Sequence, residues 1–268
     1  MDGARVVWGL TVVGGVALAL ATLEAVLVGI VLVQGAFWVP AVAALFTAGV
    51  LTAHRLPHAL AARRLLFLGV TATMWSAAGC GLILGRRHLG TGPWMVVPDT
   101  LLVALDLVMP AAILALFAVY ADGRYQRGYE RRLVRAAYAT ALGLPLVLLV
   151  VRPTLQPTAA FGWLVPCNGK PAAVVSPLHV GALTFLAAPL SLCARIAPGA
   201  FVALAAMALA LRYRRFDADE RLRVRWPLAA LLLFALQAAG SGLVAADVLP
   251  RAAINAPVIV TVIVLAAA

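Results

Sequence analysis

The chain alternates long apolar segments with short polar connections. Each apolar segment approaches the roughly 20 helical residues needed to cross a ~30 Å hydrocarbon core. Backbone groups in lipid must be satisfied within the segment, and the segments are too long for barrel strands, so the pattern predicts helices. The predicted fold is therefore an all-α polytopic membrane helix bundle, a single domain over residues 1–268. Its eight predicted spans are residues 6–33, 36–53, 65–85, 94–120, 133–151, 194–211, 224–249 and 252–268.

Composition excludes a soluble globular domain. Hydrophobic residues make up 64% of the 268 positions and charged residues only 12%, whereas soluble domains are roughly 45–50% apolar. The net charge of +11 would suggest nucleic acid in a soluble protein. Here the arginines lie between apolar runs, which favours a role in membrane orientation. We therefore expect the lipid bilayer, and not nucleic acid, as the partner.

The arginines also predict an orientation. With the N-terminus in the cytoplasm, fifteen Arg and Lys residues fall on the cytoplasmic side and six on the outer side, which is the bias of the positive-inside rule. The predicted cytoplasmic turns are 54–64, 121–132 and 212–223. The first apolar run exceeds the core of a signal peptide and is interpreted as an uncleaved span. Abundant Ala, Arg, Gly and Val with a single Lys is typical of a G+C-rich bacterial gene.

The most charged stretch is "RYRRFDADERLRVRW", residues 212–226. Its place between the sixth and seventh spans predicts a cytoplasmic turn. Asp217 and Glu220 have the spacing of a helix N-cap with its capping partner. The flanking arginines are expected against anionic lipid headgroups. The residues assigned to this lipid-facing turn are Arg212, Arg214, Arg215, Glu220, Arg221, Arg225 and Trp226.

Three carboxylates fall deep within predicted spans: Glu24, Asp99 and Asp106. Ionisable groups at such depth are costly and are candidates for a ligand or proton site. All three are predicted to face one outward-opening cavity, with Arg195 and Arg152 as cationic partners. The alternative is that the acids are neutral or paired and simply hold helices together.

The longest connection runs from 152 to 193 and contains six prolines. Cys167 and Cys193 lie on its predicted outer side, where disulfides persist, so a bridge between them is one possibility. A metal site with His179 is the other, although no metal is expected. The chain ends in an apolar run without a closing polar residue, which predicts further sequence beyond Ala268.

Two turns resemble those of the membrane-embedded region of bacterial sensor histidine kinases. The stretch "LRYRRFDADERLRVRW" is similar to an Arg-rich turn with a Glu-Arg-x-x-hydrophobic-basic-Trp pattern, matched here from Glu220 to Trp226. The earlier turn "FAVYADGRYQRGYERRLVR" resembles a Phe-Pro-Asp-Gly-Arg turn, with Tyr120 and Ala121 where Phe-Pro is usual.

The resemblance implies a multi-pass sensory and signal-transmitting region in the bacterial inner (cytoplasmic) membrane, truncated before the kinase core. It implies a homodimer through that core, a response regulator as partner, and ATP with Mg²⁺ as the core's cofactors. No cofactor is expected in this chain, which lacks a phosphoacceptor His followed by an acid. The alternative function is an ion or small-molecule transporter or channel with an intramembrane acidic site. An intramembrane enzyme is disfavoured, because no cluster with catalytic spacing occurs.

Overall fold

Six α-helices contain most of the residues that the computed structural model describes. It describes residues 3–28, 32–90, 92–120, 123–155 and 174–214, and positions 216, 217, 219, 221, 224, 225, 228, 229 and 232. The helices are α1 (Gly3–Val28), α2 (Leu32–Arg55), α3 (Leu60–Leu89), α4 (Val96–Phe117), α5 (Gly128–Val151) and α6 (Ala187–Tyr213). Short 3-10 helices at Pro93–Met95 and Gly181–Leu186 lead into α4 and α6, and the two-residue strands β1 (Thr154–Leu155) and β2 (Val174–Val175) pair antiparallel.

The all-helical fold class is confirmed, and five helical segments are long and apolar enough to cross a membrane among the described residues. They are Gly3–Leu27, Leu60–Leu89, Pro93–Phe117, Gly128–Val151 and Gly181–Tyr213. The predicted second span, 36–53, lies within α2. The predicted seventh and eighth spans lie outside the described residues, apart from isolated positions at the start of the seventh.

Successive helices run in opposite directions, so the bundle has two ends. At the proximal end, where α1 begins, Arg64 near the start of α3 meets Tyr125 just before α5. At the distal end, Arg86 near the end of α3 meets Asp99 at the start of α4. There the Val180 backbone N–H also donates to the Val150 carbonyl, which joins α6's 3-10 lead to the last turn of α5. The arginine count predicts that the proximal end is cytoplasmic.

The core is centred on α4, which packs against α3 on one side and against α5 and α6 on the other. Its apolar residues are buried nearly all round, as expected for a central helix in a bundle. Leu107, Leu114 and Ala115 belong to the cluster shared with α5 and α6, whereas Leu102 and Leu105 belong to the cluster shared with α3. Its two carboxylates, Asp99 and Asp106, lie inside protein, whereas Val97 and Leu101 near its start are exposed.

The rim of the bundle is formed by α1 and α2, which pack on α3. Two glycines allow α2 and α3 to approach closely. A Cβ at Gly49 would lie 2.7 Å from Leu66 Cα, and one at Gly69 would lie 2.7 Å from Phe46 Cα. Such small residues are common where membrane helices meet. The outer face of α1 is apolar and exposed, with Val26 at 75%, which suits contact with lipid.

Candidate functional site: buried polar groups at the two ends of the bundle

Glu130 forms the centre of a buried polar network at the proximal end. It is the third residue of α5, where a carboxylate can accept from the free N–H groups of the first turn. Its Oε2 accepts from the backbone N–H groups of Gln126, at 2.9 Å, and Arg127, at 3.3 Å. The side chain is buried as a result of the packing of α4 and α6 around this turn. Glu130 is not among the site residues predicted from the sequence, although its spacing from Arg127 is that of a capping residue.

Arg212 completes this network from the last turn of α6. Its Nη2 donates to Glu130 Oε2 at 2.8 Å and to the Ala118 carbonyl at 2.6 Å, and its Nη1 donates to the Tyr120 carbonyl at 3.1 Å. The two carbonyls lie in the turn just after α4, where carbonyl groups need partners outside the helix. One guanidinium therefore joins the ends of α4 and α6 to the start of α5. We call this set, Glu130, Arg212 and the carbonyls of Ala118 and Tyr120, the proximal clamp.

The burial of Arg212 differs from the headgroup contact expected for it. Its side chain is only 4% exposed, because the acceptors at the end of α4 draw it inward. Arg214, two positions on, is exposed, as a headgroup-facing residue should be. Arg221 and Arg225 are exposed too, and Arg221 donates to the Phe216 carbonyl at 2.8 Å. Arg215, Glu220 and Trp226 lie outside the described residues, so their roles stay predictions.

The two aspartates of α4 face α3. Asp106 accepts a hydrogen bond from the indole Nε1 of Trp75, and Asp99 forms an ion pair with Arg86 at 3.5 Å. Trp75 and Arg86 are eleven positions apart, which is close to three full turns and places them on one face of α3. The expectation that Asp99 and Asp106 share a face is therefore met at the α3–α4 interface. Both are 2% exposed, so they point into the bundle.

Glu24 approaches α3 from a different side. Its Oε1 would lie 2.9 Å from a Cβ at Gly81, so the absence of a side chain there makes room for the carboxylate. Gly81 is six positions from Trp75 and five from Arg86, about 120° or more around the helix from both. All three carboxylates thus contact α3, but they do so on two faces. This arrangement does not support the single shared cavity expected from the sequence.

The cationic partner of Asp99 is Arg86, not Arg195 or Arg152 as expected. Arg86 precedes Asp99 by thirteen residues across the turn between α3 and α4, so the pair is local to one helical hairpin. Arg195 is exposed on α6, and among the described residues neither it nor Arg152 forms an ion pair with a carboxylate. Arg152 donates instead from Nε to Ser191 Oγ at 2.7 Å.

The cysteine predictions concern the same end. Cys193 is exposed on α6 and Cys80 is partly buried in α3, while Cys167 lies outside the described residues. A disulfide between Cys167 and Cys193 therefore stays a prediction. Among the described residues, no three His, Cys, Asp or Glu side chains are grouped as metal ligands.

Comparison with known proteins returned no relative. No family model matches the chain, and no curated protein and no solved structure matches it either.

Proposed function

We propose that this chain is the membrane-embedded, signal-transmitting region of a bacterial sensor histidine kinase, located in the cytoplasmic membrane with its N-terminus inside. The support is the pair of turns that resemble those of such kinases, together with the position of the proximal clamp. The clamp contains Arg212, the first residue of the Arg-rich turn, and it lies next to the turn that resembles Phe-Pro-Asp-Gly-Arg. The two turns that carry the resemblance are therefore joined through Arg212 and Glu130.

The mechanism follows from this junction. A stimulus that binds one arrangement of the helices better than another shifts the population toward that arrangement, whereas equal affinity shifts nothing. Because the guanidinium of Arg212 holds the ends of α4 and α6 to α5, a displacement of α4 or α5 is transmitted to the end of α6. The chain after α6 then conveys the displacement to a kinase core beyond Ala268. That core would supply the homodimer contact, bind ATP and Mg²⁺, and engage the response regulator.

Autophosphorylation of the full-length protein tests this proposal. Arg212→Gln removes the cation of the clamp, and we expect it to change the ratio of stimulated to basal phosphorylation, or to fix the basal rate high or low. Arg214→Gln is the matched control, because Arg214 is exposed in the same turn. The proposal fails if the gene encodes no kinase core after position 268, or if the two variants leave phosphorylation equally unchanged.

A transporter or channel is the second candidate, and the buried Asp99 and Asp106 with the partly buried Arg86 favour it. Charged groups inside a membrane bundle often mark ion or proton pathways. Proteoliposomes that contain the purified chain would then show proton or cation flux, which Asp99→Asn and Asp106→Asn would abolish. Asp219→Asn is the control, since Asp219 is exposed beyond α6. Absence of flux through the unsubstituted protein would remove this candidate.

A further inference from the structure

Two arginines meet at the distal end of α5 and α6. Arg152 immediately follows α5, and Arg195 lies in the third turn of α6. Arg152 donates from Nε to Ser191 Oγ at 2.7 Å, and Ser191 Oγ itself donates to the Ala187 carbonyl. Ser191 is therefore held by its own helix and in turn holds the guanidinium of Arg152 against α6.

The register of α6 brings the second arginine to the same place. Arg195 is four residues after Ser191, and side chains at this spacing lie on one helix face with their Cβ atoms about 5–6 Å apart. Burial of the Arg152 side chain lowers its pKa, and the positive charge of Arg195 lowers it further. An arginine nevertheless stays protonated in proteins. Two like charges thus lie near each other, and no carboxylate among the described residues forms an ion pair with either.

The free edges of the guanidinium groups fit an oxyanion. The hydrogen bond to Ser191 uses Nε of Arg152. The edge formed by Nη1 and Nη2 of this partly buried side chain can then donate to a ligand. Arg195 is exposed and has no hydrogen-bond or ion-pair partner among the described residues. A guanidinium binds two oxygens of a phosphate or carboxylate at once. A phosphate offers additional oxygens, so it can engage both arginines together.

We propose that Arg152 and Arg195, positioned by Ser191, bind the phosphate group of an anion, supplied either by a phospholipid headgroup or by free phosphate. A bound phosphate offsets the repulsion between the two guanidinium groups and the cost of partly burying Arg152. The site lies at a bundle end beside apolar, exposed positions of α6 such as Leu192 and Ile196, 56% and 57% exposed. A lipid can therefore place its acyl chains along α6 while its phosphate reaches the arginines. This site does not depend on the function proposed above.

The test uses the full chain at neutral pH with two probes. Inorganic phosphate is titrated into the protein in a neutral detergent and followed by calorimetry. In parallel, the protein is reconstituted in nanodiscs of phosphatidylcholine with phosphatidylglycerol, and the lipids retained after mild detergent extraction are counted by native mass spectrometry. The variants are Arg152→Gln and Arg195→Gln, with Arg87→Gln as the matched control. Arg87 is an exposed arginine at the same end of the bundle.

We expect Arg152→Gln and Arg195→Gln to weaken binding about tenfold, as loss of a charge-assisted hydrogen bond does, and Arg87→Gln to leave it within about twofold. Arg195→Lys, which keeps the charge, should retain part of the binding. Binding of phosphate in detergent would show that a soluble anion is sufficient to occupy the site. Retention of phosphatidylglycerol without binding of free phosphate would identify the lipid headgroup as the ligand. Circular dichroism checks folding, and exposed Arg195 provides a variant that leaves packing intact. The proposal is overturned if Arg87→Gln weakens binding as much as the other two variants do. It is also overturned if the unsubstituted protein neither binds phosphate nor retains phosphatidylglycerol in preference to phosphatidylcholine.

Discussion

Each end of the bundle has an arginine–carboxylate pair, and the two pairs differ in distance, in burial and in the hydrogen bonds of their carboxylates. In the proximal clamp, Arg212 and Glu130 are 2.8 Å apart with side chains 4% and 7% exposed. Glu130 also accepts from backbone N–H groups just before α5, and Arg212 also donates to carbonyl groups just after α4. At the distal end, Arg86 and Asp99 are 3.5 Å apart with side chains 16% and 3% exposed. Asp99 Oδ2 is buried without a hydrogen-bond partner among the described residues, whereas neither oxygen of Glu130 is in that state.

The difference indicates different roles. Buried charges are tolerated when their geometry is good and additional hydrogen bonds satisfy the remaining atoms. In the proximal clamp the carboxylate of Glu130 meets this condition, so the clamp suits a fixed joint between three helices. In the distal pair, Arg86 and Asp99 are close together, but Asp99 is incompletely hydrogen-bonded. It therefore retains capacity for a further group such as a proton, an ion or a ligand. Stability should therefore depend more on the proximal pair than on the distal one.

Removal of one partner of the proximal clamp should have the largest effect. Glu130→Ala and Arg212→Ala each leave a buried charge without its partner, and we expect each to lower the free energy of unfolding by about 3–5 kcal/mol. The double variant should lose less than the two losses combined, because neither charge then remains alone. Unfolding in mixed micelles, followed by circular dichroism, measures this. Arg214→Ala should change the value by no more than about 0.5 kcal/mol, and a similar value for Arg212→Ala would contradict the assignment.

Much of the helical fold was predictable, because apolar length is a direct signature of helices in lipid. The predicted sixth span, 194–211, nevertheless begins seven residues after Ala187, the first residue of α6. Its first turns contain Pro189, Ser191 and Cys193, and α6 includes them because Pro is tolerated in a first turn and Ser191 bonds to a carbonyl within the helix. Helix ends depend on such local bonds, which average hydropathy does not report.

The site was predictable only in part. Burial of Asp99 and Asp106 followed from their depth in an apolar segment, but their partners did not, since Trp75 and Arg86 become neighbours only when α3 packs on α4. The headgroup contact predicted for Arg212 followed from its charged neighbours. Its burial follows from carbonyl groups at the end of α4, which sequence patterns do not place beside it.

Substitutions at the distal pair should have an intermediate effect. Asp99→Asn keeps the shape but removes the charge that faces Arg86, and we expect a loss of about 1–2 kcal/mol in the free energy of unfolding. The loss should be smaller than that for Glu130→Ala because the distance between Arg86 and Asp99 is longer than that in the clamp, and because Arg86 reaches solvent. The same unfolding measurement applies, with Arg87→Gln as a control that should lie near zero. A loss for Asp99→Asn as large as that for Glu130→Ala would show that the two pairs are equivalent.

The smallest effect is expected at a third arginine, which sharpens the comparison because its hydrogen-bond partners are neutral. Arg64 donates to the hydroxyls of Tyr138 at 3.4 Å and Tyr125 at 3.2 Å, and its guanidinium lies 5.8 Å from the centre of the Tyr138 ring. Tyr138→Phe removes one long hydrogen bond and keeps the ring, so we expect a loss of about 0.5–1 kcal/mol. Tyr138→Leu removes the ring as well and should cost about 0.5–1 kcal/mol more, the contribution of a partly exposed cation–π contact. Tyr129→Phe, at an exposed position near the start of α5, is the control for loss of a hydroxyl. If Tyr138→Phe were as damaging as Glu130→Ala, the proximal end would depend on a wider polar network than the clamp. The difference in hydrogen bonding between the two ion pairs would then no longer explain why stability depends more on one end than on the other.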